Sequence, residues 1–314
     1  MFWRDKFQAS LLPKLGLGET KPSLGNDTNA ITLLFAGDIM LDRGVEFYIT
    51  QHNDWKLPFL RIADTLQKAD LTFGNLESVI SDKGENQGSI YSFRADPKSL
   101  EGLVFAGFDV LSVANNHSLD YGIEAFLDSL QYLKKANITP AGGGSNREDA
   151  RAPVIKEIQG TKIGFLGYTN LGSPAWQAAE HTPGIAWADE DTLAEFQKDI
   201  RKAKNIADIL IISLHFGEEY QKEPSLTQQV LSKAAIDAGA DIVIGHHPHV
   251  VQPVAQYRGG WIAYSLGNFV FDQGFSEETM EGMLLKVQIE GKQITRVTSS
   301  VIRMNSFFQP ELSL

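Results

Sequence analysis

The chain of 314 residues contains no cysteine. Disulfide frameworks, thiolate zinc sites, iron–sulfur clusters and cysteine nucleophiles are excluded with it, so any metal must be held by nitrogen and oxygen donors. Cationic residues are also in deficit: 28 Lys and Arg stand against 39 Asp and Glu, a formal charge of −11. That balance argues against general nucleic-acid binding, which needs cations to neutralise phosphates. A phosphoester substrate stays open, because bound divalent cations reverse a local field. Long apolar runs are missing too. No stretch of about 20 apolar residues offers a membrane span, and the opening MFWRDKFQASLLPK breaks its apolar residues with Asp5, Lys6 and Lys14, unlike the core of a signal peptide. As written, the sequence reads as cytoplasmic.

What is present suits a folded α/β protein. Hydrophobic residues make up 43% and charged residues 21%, enough to bury a large core without disorder. Residues 1–30 read as an N-terminal extension and linker, with Phe2, Trp3, Phe7 and Leu11 able to share one helical face, and 31–314 as a single domain. Short apolar strands alternate with helical spacing up to about residue 245, which favours parallel strands with helices outside. A hairpin is predicted at Gln159–Gly160, and a helix over 225–239 with Ser225 at its cap. The β-rich stretches after 250 read as an antiparallel meander.

The polar residues that follow the strands carry the chemistry. Asp38 and Asp42 follow ITLLFAG, Asn75 and Glu77 follow ADLTFG, and Asn115, Asn116 and His117 follow FDVLSVA. His215 closes ADILIIS, and His246, His247 and His249 close ADIVIG. The last turn holds three of the chain's seven histidines. One such residue is an ordinary turn or cap. Five successive strand ends offering carboxylate, amide oxygen and imidazole suit divalent ions such as Mn, Fe or Zn, one or two of them. Two metals about 3.5–4 Å apart would serve an in-line displacement at phosphorus. The three glycines 142–144 lack the Lys-Ser/Thr of a phosphate loop, so a nucleotide module is disfavoured.

GDIMLDRG, GNLES, SVANNHSLDYG, SLHFGEEY, GHHPHVVQP and SLGNFVFDQ, in this order, resemble the CapA family (PgsA-like poly-γ-glutamate capsule biosynthesis proteins), itself similar to calcineurin-like metallophosphoesterases. The resemblance covers about residues 31–275. It implies a four-layer α/β/β/α sandwich with a dinuclear site. It also implies Asp38 and His249 at a first metal, Asn116, His215 and His247 at a second, and Glu77, perhaps with Asn75, as the bridging acid. His117 would be the general acid. The sequence departs from the phosphoesterase pattern at Met40, where Asp-x-His is expected, and at Gly-Asn-Leu-Glu, where Gly-Asp-x-x-Asp is expected. Asp42 is the candidate that could compensate. Arg94 could clamp a carboxylate or phosphate. Glu218, Glu219 and Tyr220 could line the pocket or orient His215, and Asn268 and Asp272 could act similarly. Trp176 and His181 read as surface or core residues.

Two functions compete. One is a metal-dependent hydrolase acting on a phosphoester or a γ-glutamyl/amide-type bond. The other is a non-catalytic accessory protein that uses the metal cleft to bind an anionic polymer or a membrane-bound synthase. Envelope association enters only through the family resemblance.

Overall fold

The structure, a computed structural model, describes residues 30–313. The extension read over 1–30 lies, Ala30 apart, outside the described residues, as do Phe2, Trp3, Phe7 and Leu11. The first strand, β1 (Ile31–Ile39), sets the layering. Ile31, Leu33 and Phe35 enter one apolar core while Leu34 and Ala36 enter another, because a period of two sends successive side chains to opposite faces. A strand covered on both faces needs this near-continuous apolar run.

Helix α1 (Arg43–His52) follows, with Asp42 as its cap and Asn53 ending it in the left-handed region. A short 3-10 turn, Leu57–Phe59, follows with Pro58 in its first positions. Then come β2 (Leu71–Leu76), α2 (Leu100–Ala106), β3 (Val110–Ser112), α3 (Gly122–Lys135) and β4 (Thr139–Ala141). The four strands β1 to β4 lie side by side and parallel.

A second sheet starts with the hairpin β5 (Val154–Ile158) and β6 (Thr161–Thr169), turning at Gln159 and Gly160 as the sequence predicts. It continues through α4 (Leu193–Lys204), β7 (Ile209–His215), α5 (Leu226–Asp237) and β8 (Ile242–His246). Ser225 caps α5 in a reciprocal capping box with Gln228. The remaining strands are β9 (Val254–Tyr257), β10 (Gly260–Ala263), β11 (Asn268–Val270), β12 (Glu281–Glu290), β13 (Gln293–Met304) and β14 (Pro310–Leu312).

The first sheet runs β14-β13-β12-β1-β2-β3-β4, with β11 also against β1, and the second runs β9-β10-β8-β7-β6-β5. The two meet through a shared core that includes Phe35, Phe73, Phe165, Ile211 and Ile244. Phe73 and Phe165 stack across it with ring centroids 5.5 Å apart. Outer cores bind helices to each sheet: Val45, Leu103, Phe126 and Leu130 pack on the first, Phe196, Ile200, Leu231 and Ala235 on the second. These are the four layers α/β/β/α.

The meander expected after 250 is instead divided between the sheets. β9 and β10 form an antiparallel hairpin in the second sheet, where β10 also runs parallel to β8; β11 runs parallel to β1 in the first sheet, and β12 to β14 form a second antiparallel run there. Between β10 and β11 the chain crosses from one sheet to the other. The crossing is tight: the Gly267 carbonyl lies 1.9 Å from where a Cβ on Gly37 would be, and it accepts the Asp38 N–H at 3.0 Å. Glycine at position 37 is what brings Asp38 against the seam.

Candidate metal centre

Donors from both sheets converge at this seam. The β1–β2 register sets Asp38 beside Asn75, and the β7–β8 register sets His215 beside His246. Asp38, Asn75, Glu77, His215 and His246 are fully buried, and His247 and His249 nearly so. Two groups of three could each hold an ion: Asp38, Glu77 and His215, and Glu77, His247 and His249. In each group the ligand atoms lie within 4.8 Å of one another. Glu77 belongs to both, the position a bridging carboxylate takes. The grouping sets Asp38 with His215 rather than with His249, although His249 Nδ1 is 3.6 Å from Asp38 Oδ2.

Asp38 is held at both oxygens. Asn75 Nδ2 donates to Oδ1 at 2.9 Å, and the His247 N–H donates to Oδ2 at 3.1 Å. Burial alone would raise its pKa, but His246, His249 and the His247 N–H outweigh that and hold it below the usual carboxylate value. Glu77 is the reverse case. Burial, then Asp38, Glu219 and Asp120, push its carboxyl well above the ordinary value. Its Oε1 has no hydrogen-bond partner, a costly condition for a buried carboxylate that a cation relieves.

Burial disfavours the charged form of His215, His247 and His249, the form that cannot bind a metal. Burial, followed by the neighbouring imidazoles, lowers His215 well below its usual value and takes His247 to about 3. Burial also lowers His249, against the opposing pull of Asp38, Asn268 and Glu219. His249 Nδ1 donates to Asn268 Oδ1 at 2.9 Å, which leaves Nε2 facing Glu77 Oε1 at 3.6 Å. A second hydrogen bond that fixes the tautomer in this way is the common support of an imidazole ligand. His247 Nδ1 has no partner, and its backbone is held at φ 97°, a conformation L-residues avoid unless the surroundings impose it. An unpartnered carboxylate oxygen and an unpartnered imidazole nitrogen, both in one donor set, fit a divalent ion.

Asn116 Oδ1 accepts from His215 Nε2 at 2.6 Å, so this amide stands at the same edge. His117 lies opposite. Its Nδ1 donates to Asp120 Oδ2 at 2.7 Å, its Nε2 is 3.8 Å from Glu77 Oε1, and the Phe93 ring lies 4.1 Å from its own. Asp120 also accepts the Phe93 N–H at 2.9 Å. Sequence reasoning missed Asp120, because an Asp three residues after His117 reads equally well as a turn former. It also named no role for Asn115, whose amide donates to Asn75 Oδ1 at 3.2 Å and whose Oδ1 accepts the His117 N–H at 3.1 Å.

Other candidates lie elsewhere. Asp42 is outside both groups: it accepts from the N–H groups of Arg43 and Arg94 at 2.7 Å each, fixing the start of α1 to the backbone at Arg94 instead of compensating at a metal. Arg94 donates to the carbonyls of Lys83 and Gly84 and stacks on Tyr121 at 4.2 Å, a brace rather than a clamp. Met40 is wholly buried in the helix-side core and offers its sulfur to the Asp42 N–H. His246, in van der Waals reach of Phe73, has Nδ1 3.2 Å from Asp38 Oδ1 but not aligned for a hydrogen bond. Asp272 pairs with Arg43. His181 is exposed, and Trp176 packs partly buried against the first core. Tyr220, its ring centroid 6.2 Å from that of His249, and Glu219, whose charge contributes to the rise of the Glu77 carboxyl, lie beside the site, and Glu218 is exposed.

A double-sheet sandwich between helix layers, with a nitrogen–oxygen donor set at the seam, defines a protein of the metallophosphoesterase type of fold. Solved structures agree on the fold. A hypothetical protein from Thermus thermophilus superposes with a TM-score of 0.54 at 15% identity, over 86% of this chain and 98% of that one. The NAD nucleotidase of Haemophilus influenzae gives 0.50 at 12% identity, over 91% of this chain and 60% of that one. Residues 32–273 match the family described as bacterial capsule synthesis protein PGA_cap, and the chain belongs to that family. It is 34% identical over 278 residues to the PGA biosynthesis protein CapA of Bacillus subtilis (strain 168), spanning 88% of this chain and 72% of that protein. It is 35% identical over 263 residues to the capsule biosynthesis protein CapA of Bacillus anthracis, spanning 81% of this chain and 63% of that one.

Proposed function

We propose that the protein is a metal-dependent hydrolase of capsule-polymer metabolism, acting on a phosphoester or on a γ-glutamyl/amide-type bond. The observation that carries this reading is His117: a buried imidazole, oriented by Asp120, with its free nitrogen turned toward the carboxylate shared by both ligand groups. A cleft that only binds needs charge or metal, but no proton donor at that place.

Asp38, Glu77, His215, His247 and His249, with Asn116, would hold one or two divalent ions. Those ions would neutralise the oxygens of the reacting group and acidify a water. The chain's own residues do the rest. Asn75 fixes the Asp38 carboxylate, and Asn268 fixes the His249 ring. Asp120 keeps the proton on His117 Nδ1, so Nε2 is the atom that delivers a proton to the leaving group. Phe93 against the ring excludes water from that path.

The test is His117→Ala assayed with Mn on two kinds of ester. With alkoxide leaving groups kcat falls about 10²–10⁴-fold, the worth of a positioned acid. With 4-nitrophenolate, which departs unprotonated, the fall is much smaller, and bound metal measured by elemental analysis is unchanged. Equal loss on both ester types would sink the assignment.

A second reading, a non-catalytic accessory protein that binds an anionic polymer or a membrane-bound synthase, is favoured by Met40, which lies in the core where a histidine ligand is expected. A relative in Mycobacterium tuberculosis, 25% identical over 291 residues, bears the name probable polyglutamine synthesis accessory protein. Polymer binding without turnover would select it. Among the described residues no helix is long and apolar enough to cross a membrane.

A further inference from the structure

One wall of the metal centre is aromatic from its floor to the solvent. Inside, His249 packs on Phe271 with ring centroids 4.8 Å apart, and Phe271 meets Phe93 at 5.8 Å. Further out, the Tyr220 ring is 6.2 Å from His249 and 5.2 Å, edge-on, from Phe275. Phe275 is 65% exposed and Tyr220 41%. Exposed rings are scattered singly on most surfaces, but a contiguous group beside a site marks a contact surface.

The rim is also tied to the ligands. Gln273 Nε2 donates to the Tyr220 hydroxyl at 3.4 Å, Asn268 Nδ2 donates to Gln273 Oε1 at 3.0 Å, and Asn268 Oδ1 takes the His249 proton. Tyr220 is held at φ 63°, and its N–H donates to Pro248 O at 2.8 Å, inside the histidine turn. These contacts seat the ring over the centre instead of leaving it to swing.

Charge at this mouth has the wrong sign for a polyanion. Glu218 and Glu219 are exposed and form no ion pair among the described residues. The cations around the wall are already used: Arg43 by Asp272, Lys222 by Glu278 at 3.0 Å, and Arg94 by the Lys83 and Gly84 carbonyls. Among the described residues, these three cations are therefore engaged and not free to recognise a run of carboxylates or phosphates.

We infer that the substrate carries an apolar or aromatic group next to the bond that is attacked, and that Tyr220 and Phe275 hold this group. The inference rests on the reading of the centre as one that turns substrate over, and it narrows the substrate to an amphiphile: an anionic reacting group with an apolar arm. The aromatic residues are positioning residues for that arm, not participants in the chemistry.

Two esters with the same leaving group test it, bis(4-nitrophenyl) phosphate and methyl 4-nitrophenyl phosphate, with Mn present. The expected result is a ratio of kcat/KM, aryl over methyl, that falls about tenfold in the Tyr220→Ala/Phe275→Ala double variant, the equivalent of one partly buried ring. The methyl ester alone should change less than about twofold, and 0.5 M NaCl should leave the ratio in place, since the contact is apolar. A ratio unchanged by the double variant overturns the inference. If neither ester is turned over, the phosphoester branch of the hydrolase reading fails, and binding decides the inference by itself. Calorimetry with phenylphosphonate and methylphosphonate on the Mn-loaded protein should then show preference for the phenyl compound in the parent and none in the double variant. Equal binding of both, or binding of neither, overturns it. So does a dimer in sedimentation that the double variant abolishes, because the rim would then be covered by a second copy.

Discussion

Glu46 lies in the first turn of α1, half-buried, and its carboxyl is raised to about 7 by burial, then by Asp42 and Asp96. A carboxyl raised above its ordinary value of 4.5 binds more protons in the folded chain than in the unfolded one between those two pH values. Stability therefore falls as pH climbs through that window and stays reduced above it. The partly exposed position screens the effect to about 1 kcal/mol. Glu46→Gln should accordingly stabilise the protein by that amount at pH 8 and leave it unchanged at pH 4, read by urea denaturation at both values. A gain at pH 4 as large as at pH 8 would show that packing, not charge, is responsible. Among the site residues the histidines were legible in the sequence because they are few and clustered. Asp120 was not, since an Asp after a turn is ordinarily a cap or a turn former, and only the fold brings its carboxylate to His117 Nδ1. Asp42 shows the converse: at the sequence level it is as good a ligand as Asp38, and the direction of its side chain, toward two backbone N–H groups, decides otherwise.

Elements were easier to read than their arrangement. The capped helix α5, the β5–β6 hairpin and the strand of β1 follow from local signals: Ser225 with Gln228, Gln159–Gly160, and an unbroken apolar run. The partition of strands into two sheets has no such signal. It depends on which apolar face meets which, and on the crossing between β10 and β11, where Gly267 touches Gly37. A Cβ at position 37 would meet a carbonyl oxygen at 1.9 Å, and a backbone atom cannot step aside as a flexible side chain does. Gly37→Ala should cost about 3 kcal/mol or more, at the upper end for an overpacked core, measured as a lower urea midpoint. Gly291→Ala is the control. Its φ of 59° is strained for alanine but nothing lies within 4 Å, so the cost should be about 1 kcal/mol.

For the molecule as a whole, the charge of −11 and the neutral histidines combine to one expectation: the centre gains most from cations. Glu77 in particular carries a buried oxygen with no partner. An ion bound by the folded state alone at 100 times its Kd adds about 2.7 kcal/mol, which in a chain of this size corresponds to a rise in Tm of about 5 °C or more. Saturating Mn should produce that rise, a chelator should reverse it, and His247→Ala should blunt it. A Tm indifferent to Mn, Fe and Zn would count against metal binding altogether.

The donors also divide by origin. Asp38, Asn75, Glu77, Asn116 and His117 come from the first sheet and its loops, while His215, His247 and His249 come from the second. The bond from the His247 N–H to Asp38 Oδ2 spans 209 positions of chain. Neither half of the polypeptide owns a complete ligand set, so a nascent or half-collapsed chain offers an ion only scattered, weak donors. Loading is thereby reserved for molecules whose two sheets have docked. Ion uptake during refolding becomes a clock for the final closure, running behind the appearance of helices and strands.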